Sequence, residues 1–268
     1  MLTQLVVAFL LSAIVVALAF WRGSLSRSGA AGATVVGTLI MGFGGWTWGV
    51  LLAIFFISSS LLSHYNEEEK QAVAEKFEKG HRRDIGQVMA NGGLGATAAA
   101  LSVIAPSPLW LPLFVGAMAT VTADTWATEV GTLSRRPPRL ITTGRAVEVG
   151  TSGGVSLLGT SVSLLGGLTI GLAAGLLVEE LTLGNTVIIG MVSGLAGSLF
   201  DSLLGATVQR VYYCDVCRKE TERQVHRYTH QTRPLRGWSW LNNDRVNLLA
   251  SVAGGAAAAG LYRILVPG

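Results

Sequence analysis

Charge is what this chain has least of. Asp, Glu, Lys and Arg make up 13% of its 268 residues, about half their share in a soluble globular domain. Set against 50% hydrophobic residues and a mean hydropathy of +0.50, that shortage excludes an ordinary soluble fold and puts the chain in the membrane class. Cysteine is almost absent. Cys214 and Cys217 are the only two, which excludes a disulfide framework. No G-K-[ST] sequence occurs, so there is no Walker A phosphate loop. No basic residue precedes the first apolar run and no small-residue cleavage site follows it, so a cleaved secretory signal is not expected. Glycine, by contrast, is abundant. Its 34 residues lie mostly inside apolar stretches, where small residues let membrane helices approach closely.

The apolar stretches are 2–21, 29–43, 46–63, 86–105, 109–130, 153–178, 184–208 and 246–265. A span needs roughly 20 residues, so 29–43 and 46–63 are short and read as a tight or re-entrant hairpin turning at Gly44 and Gly45. The expected fold is all-α, a polytopic membrane protein of about eight transmembrane helices forming one domain over 1–268. The loops 22–28, 64–85, 131–150 and 209–245 hold 19 of the 20 Lys and Arg. If 29–63 is a hairpin, all four lie on one face, and the positive-inside rule makes that face cytoplasmic, with both termini outside the cell (inner) membrane. The basic net charge of +4 then reflects topology and not nucleic-acid binding. Loop 64–85, with Glu67, Glu68, Glu69, Lys70, Glu75, Lys76 and Lys79, reads as a solvated amphipathic helix.

Carboxylates inside spans are costly and point to function. Asp124 and Glu129 close one inward-running span, and Asp201 lies near the same end of another. Asn243, Asp244 and Asn247 open the last span, and Asn91 lies in the first turns of 86–105. Four helices therefore bring acids and amides to one depth. Asp124 and Asp201 also share an A-x4-D-[ST] pattern, at Ala119 to Thr125 and Ala196 to Ser202, which suggests an internal repeat. Such oxygen ligands suit Mg²⁺, which takes one or two carboxylates plus substrate phosphates. The competing explanation is hydrogen bonding between helices and nothing more.

Two loops have phosphate-binding character. Arg135, Arg136, Arg139 and Arg145, with Thr143, precede the Gly-rich turn Thr151, Ser152, Gly153 and Gly154. Arginine forks match phosphate oxygens, and a Gly-rich helix start exposes N–H groups to an anion. Arg82, Arg83 and Gln87 lead in the same way into Asn91. Any single arginine is better explained by topology and anionic lipid. Cys214, Cys217, His226 and His230 are zinc-type ligands, with a Cys-to-His gap shorter than in the usual finger, and suggest a structural Zn²⁺ knuckle.

Taken in order, Gln87–Gly93, Ala123–Gly131, Pro138–Gly144, Val149–Gly154, Gly197–Ala206 and Asn242–Asn247 resemble the integral-membrane phosphotransferase family that includes plant phytyl-phosphate kinase and transmembrane protein 19. The resemblance covers nearly the whole chain. It implies a kinase that moves a phosphoryl group from a nucleoside triphosphate, CTP favoured, to an isoprenoid monophosphate of the phytyl or geranylgeranyl type. On that reading Asp124, Asp201 and Asp244 are catalytic. Together with Glu129, Asn243 and Asn247 they hold Mg²⁺. The named arginines, Gln87, Asn91, Thr143 and residues 151–154 hold phosphates. The partners would be the bilayer, the lipid phosphate and the nucleotide. A CTP-dependent nucleotidyltransferase and an ion-coupled transporter are the rival readings.

Overall fold

The computed structural model describes residues 1–66, 82–178, 181–226 and 229–266. The acidic and basic stretch read as an amphipathic helix lies outside them. Eight helices are present among the described residues: α1 (Leu2–Trp21), α2 (Arg27–Gly44), α3 (Trp46–His64), α4 (Ile85–Ile104), α5 (Trp110–Gly131), α6 (Leu157–Leu177), α7 (Leu183–Thr207) and α8 (Asn243–Leu265). Six are long and apolar enough to cross a membrane. The other two are α2 and α5. Helix α5 is short of hydropathy because it carries Thr120, Thr122, Asp124, Thr125, Thr128 and Glu129, and it is enclosed by protein: every residue from Phe114 to Ala123 is buried. A helix covered by other helices does not need a lipid-compatible surface.

The turn at Gly45 makes a full antiparallel hairpin of 18 and 19 residues, not a pair of half-helices. Gly45 has φ +83°, which a side-chain-bearing residue rarely adopts, and it ends α2 and starts α3 at once. The hairpin returns α3 beside the start of α2: Ser60 accepts a hydrogen bond from Arg83 Nη1 at 2.9 Å, and Arg83 is bonded through its backbone to Ser24 and Ser26. The loops 22–28, 131–150 and 209–245 and residues 82–84 therefore gather at one end of the bundle.

Local chemistry sets the helix starts. Asp84 caps α4 in a capping box with Gln87, Ser156 caps α6 through Gly159 N, and Asn242 caps α8 through Arg245 N. The expected helix start at 153 is thus displaced. Gly154–Val155 instead forms a short strand (β2) antiparallel to Arg139–Leu140 (β1). The described residues of the loop 209–245 are also structured. Its strands β3 (Val211–Cys214), β4 (Lys219–Thr221) and β7 (Arg233–Arg236) form a sheet in the order β4-β3-β7, and β5 (Val225–His226) pairs with β6 (His230–Gln231).

α5 lies at the centre, against α3, α4, α6, α7 and α8. Glycines set the spacing. A Cβ on Gly190 would stand 2.5 Å from the Gly167 carbonyl oxygen, and one on Gly116 would stand 2.5 Å from the Gly254 carbonyl oxygen. Trp48 stacks on Phe114 with centroids 4.2 Å apart and closes the α3–α5 contact. Replacing Gly190 by valine is expected to destabilise the detergent-solubilised protein by about 1–3 kcal/mol through overpacking. Gly260→Val, at a site with nothing within 4 Å, is expected to shift stability by no more than about 0.5 kcal/mol. Thermal unfolding followed by circular dichroism checks both.

Candidate functional site

At the end where the loops gather, a cavity of about 300 Å³ opens between α4, α5, α6, α7 and α8. Each acid on its wall has a distinct environment. Asp124, one residue past the last buried turn of α5, accepts from Ser198 Oγ of α7 at 3.3 Å. Glu129, on the last turn of α5, accepts from Ser63 Oγ of α3 at 2.7 Å. Asp201 projects from α7, and its Oδ2 is buried without a hydrogen-bond partner. Ser163 Oγ, on α6 in the same wall, is buried and unpartnered too. Asp244 lies in the first turn of α8, where the helix dipole favours an acid.

The fifth acid is one that the spans did not suggest. Glu222 is buried, follows β4, and enters the cavity from the β-ribbon. Gln209 Nε2 at 2.7 Å and Ser152 Oγ at 3.0 Å both donate to its Oε1. Nothing in the local sequence marks it, since it falls in a polar loop where acids are ordinary. Gln209, Ser163 and Ser198 were likewise unremarkable as sequence. Arg83 is the one basic side chain on this wall among the described residues. Burial pulls its guanidinium below its ordinary pKa, and the charge of Glu129 pulls it back up.

Of the expected site residues, Asp124, Glu129, Asp201, Asp244, Asn91, Asn243, Asn247, Arg83, Gln87, Thr151, Ser152, Gly153 and Gly154 line this one cavity. Gln87 also completes the capping box of α4. The turn 150–154 is held against the end of α7: Gly153 has φ +84°, and a Cβ there would fall on the Ala206 backbone. It leads into β2 and not directly into a helix, so its N–H groups are not a helix-start anion site. Arg82, Arg135, Arg136, Arg139, Thr143 and Arg145 are exposed and lie outside the cavity wall. Arg139 is engaged by its own loop, donating to the Gly144 carbonyl at 2.7 Å. The β1–β2 excursion turns Pro138 and Val149 toward the cavity and leaves the arginines on the outside.

A second cavity, of about 240 Å³ and almost wholly apolar, runs between α1, α2, α3 and α4. Leu11, Val15, Val36, Met41, Trp46, Ala53 and Phe56 are among its walls. It ends at Arg83, Gln87 and Asn91, which line the polar cavity as well.

A model of the family described as "Integral membrane protein DUF92" matches residues 10–255. The chain belongs to the DUF92 family. Every residue of the polar cavity lies within the matched range. Among curated proteins the chain is similar to Protein PGR of Arabidopsis thaliana, 32% identical over 92% of this chain and 92% of that one. It is similar to an uncharacterized membrane protein of Methanocaldococcus jannaschii, 31% identical over 89% of this chain and 86% of that one. It also resembles Protein VTE6, chloroplastic, of A. thaliana, 30% identical over 84% of this chain but 61% of that longer protein. No solved structure matches the chain.

A buried carboxylate with an unpaired oxygen is a poor device for holding helices together. The Asp201→Asn variant is therefore expected to be as stable as the parent, or more stable by up to about 2 kcal/mol. Thermal unfolding in detergent measures this, and a loss above about 1 kcal/mol would assign Asp201 a structural role instead.

Proposed function

We propose that this DUF92 protein is a membrane-embedded, Mg²⁺-dependent kinase. It transfers the γ-phosphoryl group of a nucleoside triphosphate, CTP favoured by the family resemblance, to an isoprenoid monophosphate and yields the diphosphate. The carrying observation is that the polar and apolar cavities share one wall, formed by Arg83, Gln87 and Asn91. An amphiphile with an apolar tail and an anionic head fits that pair: the tail in the groove of α1–α4, the head at Arg83. The polar face is read as cytoplasmic from its basic loops, so a nucleotide reaches the same cavity from water.

The acids follow from the charges involved. Five carboxylates and one arginine line the cavity among the described residues, and phosphates would be repelled by that wall alone. All-oxygen donors, with the Asp201 oxygen left unpaired, suit a hard divalent cation. Asp124, Asp201 and Asp244 would hold Mg²⁺, with Glu129, Asn243 and Asn247 beside them. Bound there, Mg²⁺ would neutralise charge on the transferring phosphoryl group. The acceptor needs no general base, because a phosphate monoester is already mostly dianionic at neutral pH. Its oxygen forms the new bond to the γ-phosphorus. The bond from that phosphorus to the β–γ bridging oxygen breaks, and the electron pair leaves with the nucleoside diphosphate. Arg83 orients the acceptor phosphate. The Thr151 hydroxyl would take a remaining phosphate oxygen, since Ser152 Oγ donates to Glu222 and the Thr151 and Gly154 N–H groups donate to carbonyls of their own loop.

Purified protein with geranylgeranyl monophosphate and γ-labelled CTP, ATP, GTP or UTP is expected to form labelled prenyl diphosphate, abolished by EDTA. Asp201→Asn and Asp244→Asn should each lower the rate about 100-fold or more. Release of pyrophosphate with no labelled lipid would replace the kinase by a nucleotidyltransferase. Filling the groove tests the tail site. With Ala53→Phe, KM for geranylgeranyl monophosphate is expected to rise about tenfold, while a short, water-soluble prenyl phosphate is affected little. An equal effect on both lengths would remove the tail from the groove.

A further inference from the structure

The β-ribbon of residues 209–245 contains a second constellation, separate from the oxygen-lined cavity. β3 ends at Cys214, a turn through Asp215–Arg218 follows, and β4 returns antiparallel with Cys214 opposite Lys219. Within the turn the Cys217 N–H donates to Cys214 Sγ at 3.5 Å, and Arg218 takes φ +53°. The backbone is thereby folded around the sulfur instead of presenting it to solvent. His226, from β5, enters the same spot. One donor atom from each of Cys214, Cys217 and His226 lies within 4.8 Å of the others. Cys214 and His226 are buried, and the two thiols are unlinked. Around a tetrahedral zinc the donors stand about 3.3–3.8 Å apart, since Zn–S is about 2.3 Å and Zn–N about 2.0 Å. A small side-chain adjustment closes these three onto an ion.

We propose that Cys214, Cys217 and His226 bind one Zn²⁺, and that the ion fixes the ribbon that delivers Glu222 to the cavity. His230 supplies the fourth donor. It pairs with His226 across β5–β6, so its side chain rises on the same face about 4.5–5.5 Å away at Cβ. Its ring is not among the three converged donors and reaches the ion by a change of rotamer. Binding replaces the two thiol protons, and the thiolates neutralise the ion. The soft sulfur ligands select zinc over Mg²⁺, which the oxygen-lined cavity prefers.

The placement of the ligands gives the ion its task. Cys217 stands five residues before Glu222 and His226 four residues after it. The intervening chain is tied at both ends by one ion, and Glu222 is at its apex, received by Gln209 and Ser152. The same sheet sends Arg236 of β7 to the Gly205 carbonyl at 2.6 Å and the Ser152 carbonyl at 3.3 Å. A three-stranded sheet this small has little apolar area with which to hold itself, and a metal supplies the missing cross-link.

The test reads metal directly and does not depend on the reaction assigned above. Protein purified without chelator is expected to carry about one zinc per chain by mass spectrometry. Cobalt exchanged into it should show the near-ultraviolet thiolate-to-cobalt charge-transfer band of a sulfur-ligated ion. Cys217→Ser should lose zinc at least about tenfold, and His230→Ala should bind it about tenfold more weakly, while Glu222→Gln keeps it. If Cys217→Ser fails to fold, the cobalt spectrum of the parent protein decides the site alone. Removing zinc should raise amide exchange in 209–236 and leave α5–α8 unchanged. Zinc well below stoichiometric with no cobalt charge-transfer band, or a Cys214–Cys217 disulfide in its place, overturns the site. A zinc-loaded protein whose exchange in 209–236 is indifferent to metal removal overturns its positioning task.

Discussion

The backbones of α5, α6, α7 and α8 approach one another to the distance at which a methyl group no longer fits. Gly167 and Gly190 meet carbonyl to glycine, Gly116 meets Gly254, Gly166 meets the backbone of Ala123, and Gly194 meets that of Ala119. In a bilayer there is no hydrophobic force between helices, since lipid is as apolar as leucine, so contact at backbone range must hold the bundle. The same contacts set the spacing of the acids. Asp124 follows directly after Ala123, and Asp201 stands one turn beyond Gly197, whose open side is filled by Thr120 of α5. Wider helix packing would separate the two carboxylates and open the cavity to lipid.

Given that spacing, the electrostatics follow. Acids from α5, α7, α8 and the β-ribbon share a wall that only Arg83 among the described residues offsets. Serines and a glutamine take up part of the burden at Asp124, Glu129 and Glu222. Asp201 retains a buried oxygen with no donor. A fold selected for stability alone would not keep it, because an unsatisfied buried acid weakens the native state. Its persistence is intelligible where a cation and anionic substrates complete the site, and where stability is exchanged for function.

Much of this organisation is legible in the chain itself. The spans appear as apolar runs, and the hairpin at Gly45 is implied by the need to put all four basic loops on one face. The shared depth of Asn91, Asp124, Asp201 and Asp244 follows from counting residues along helices of known rise. Other features are not legible. Glu222 is one acid among several in a polar loop, and only the pairing of β3 with β4 and the docking of Arg236 carry it inward. The exposed arginines of 133–147 cannot be told by composition from arginines that face a ligand. Gly150–Gly154 has the composition of a helix start, yet it becomes a turn and a strand, because Ser156 offers the better cap and β1 offers a partner.

The sequence by itself determined the membrane class, the order of the apolar helices, the end of the bundle at which the polar residues gather and the shared level of the acids along their helices. These depend on local quantities: hydropathy, rise per residue, charge near a span's end and glycine at a turn. The tertiary structure alone decided which polar residues meet. It set Asp201 without a donor, brought Glu222 to the acids of three helices, turned the loop arginines outward and made Arg83, Gln87 and Asn91 the wall between an apolar groove and a polar cavity. Those outcomes rest on the rotation of each helix about its axis and on pairing between distant strands. Both are set by contacts between segments far apart in the chain, which no local pattern of residues encodes.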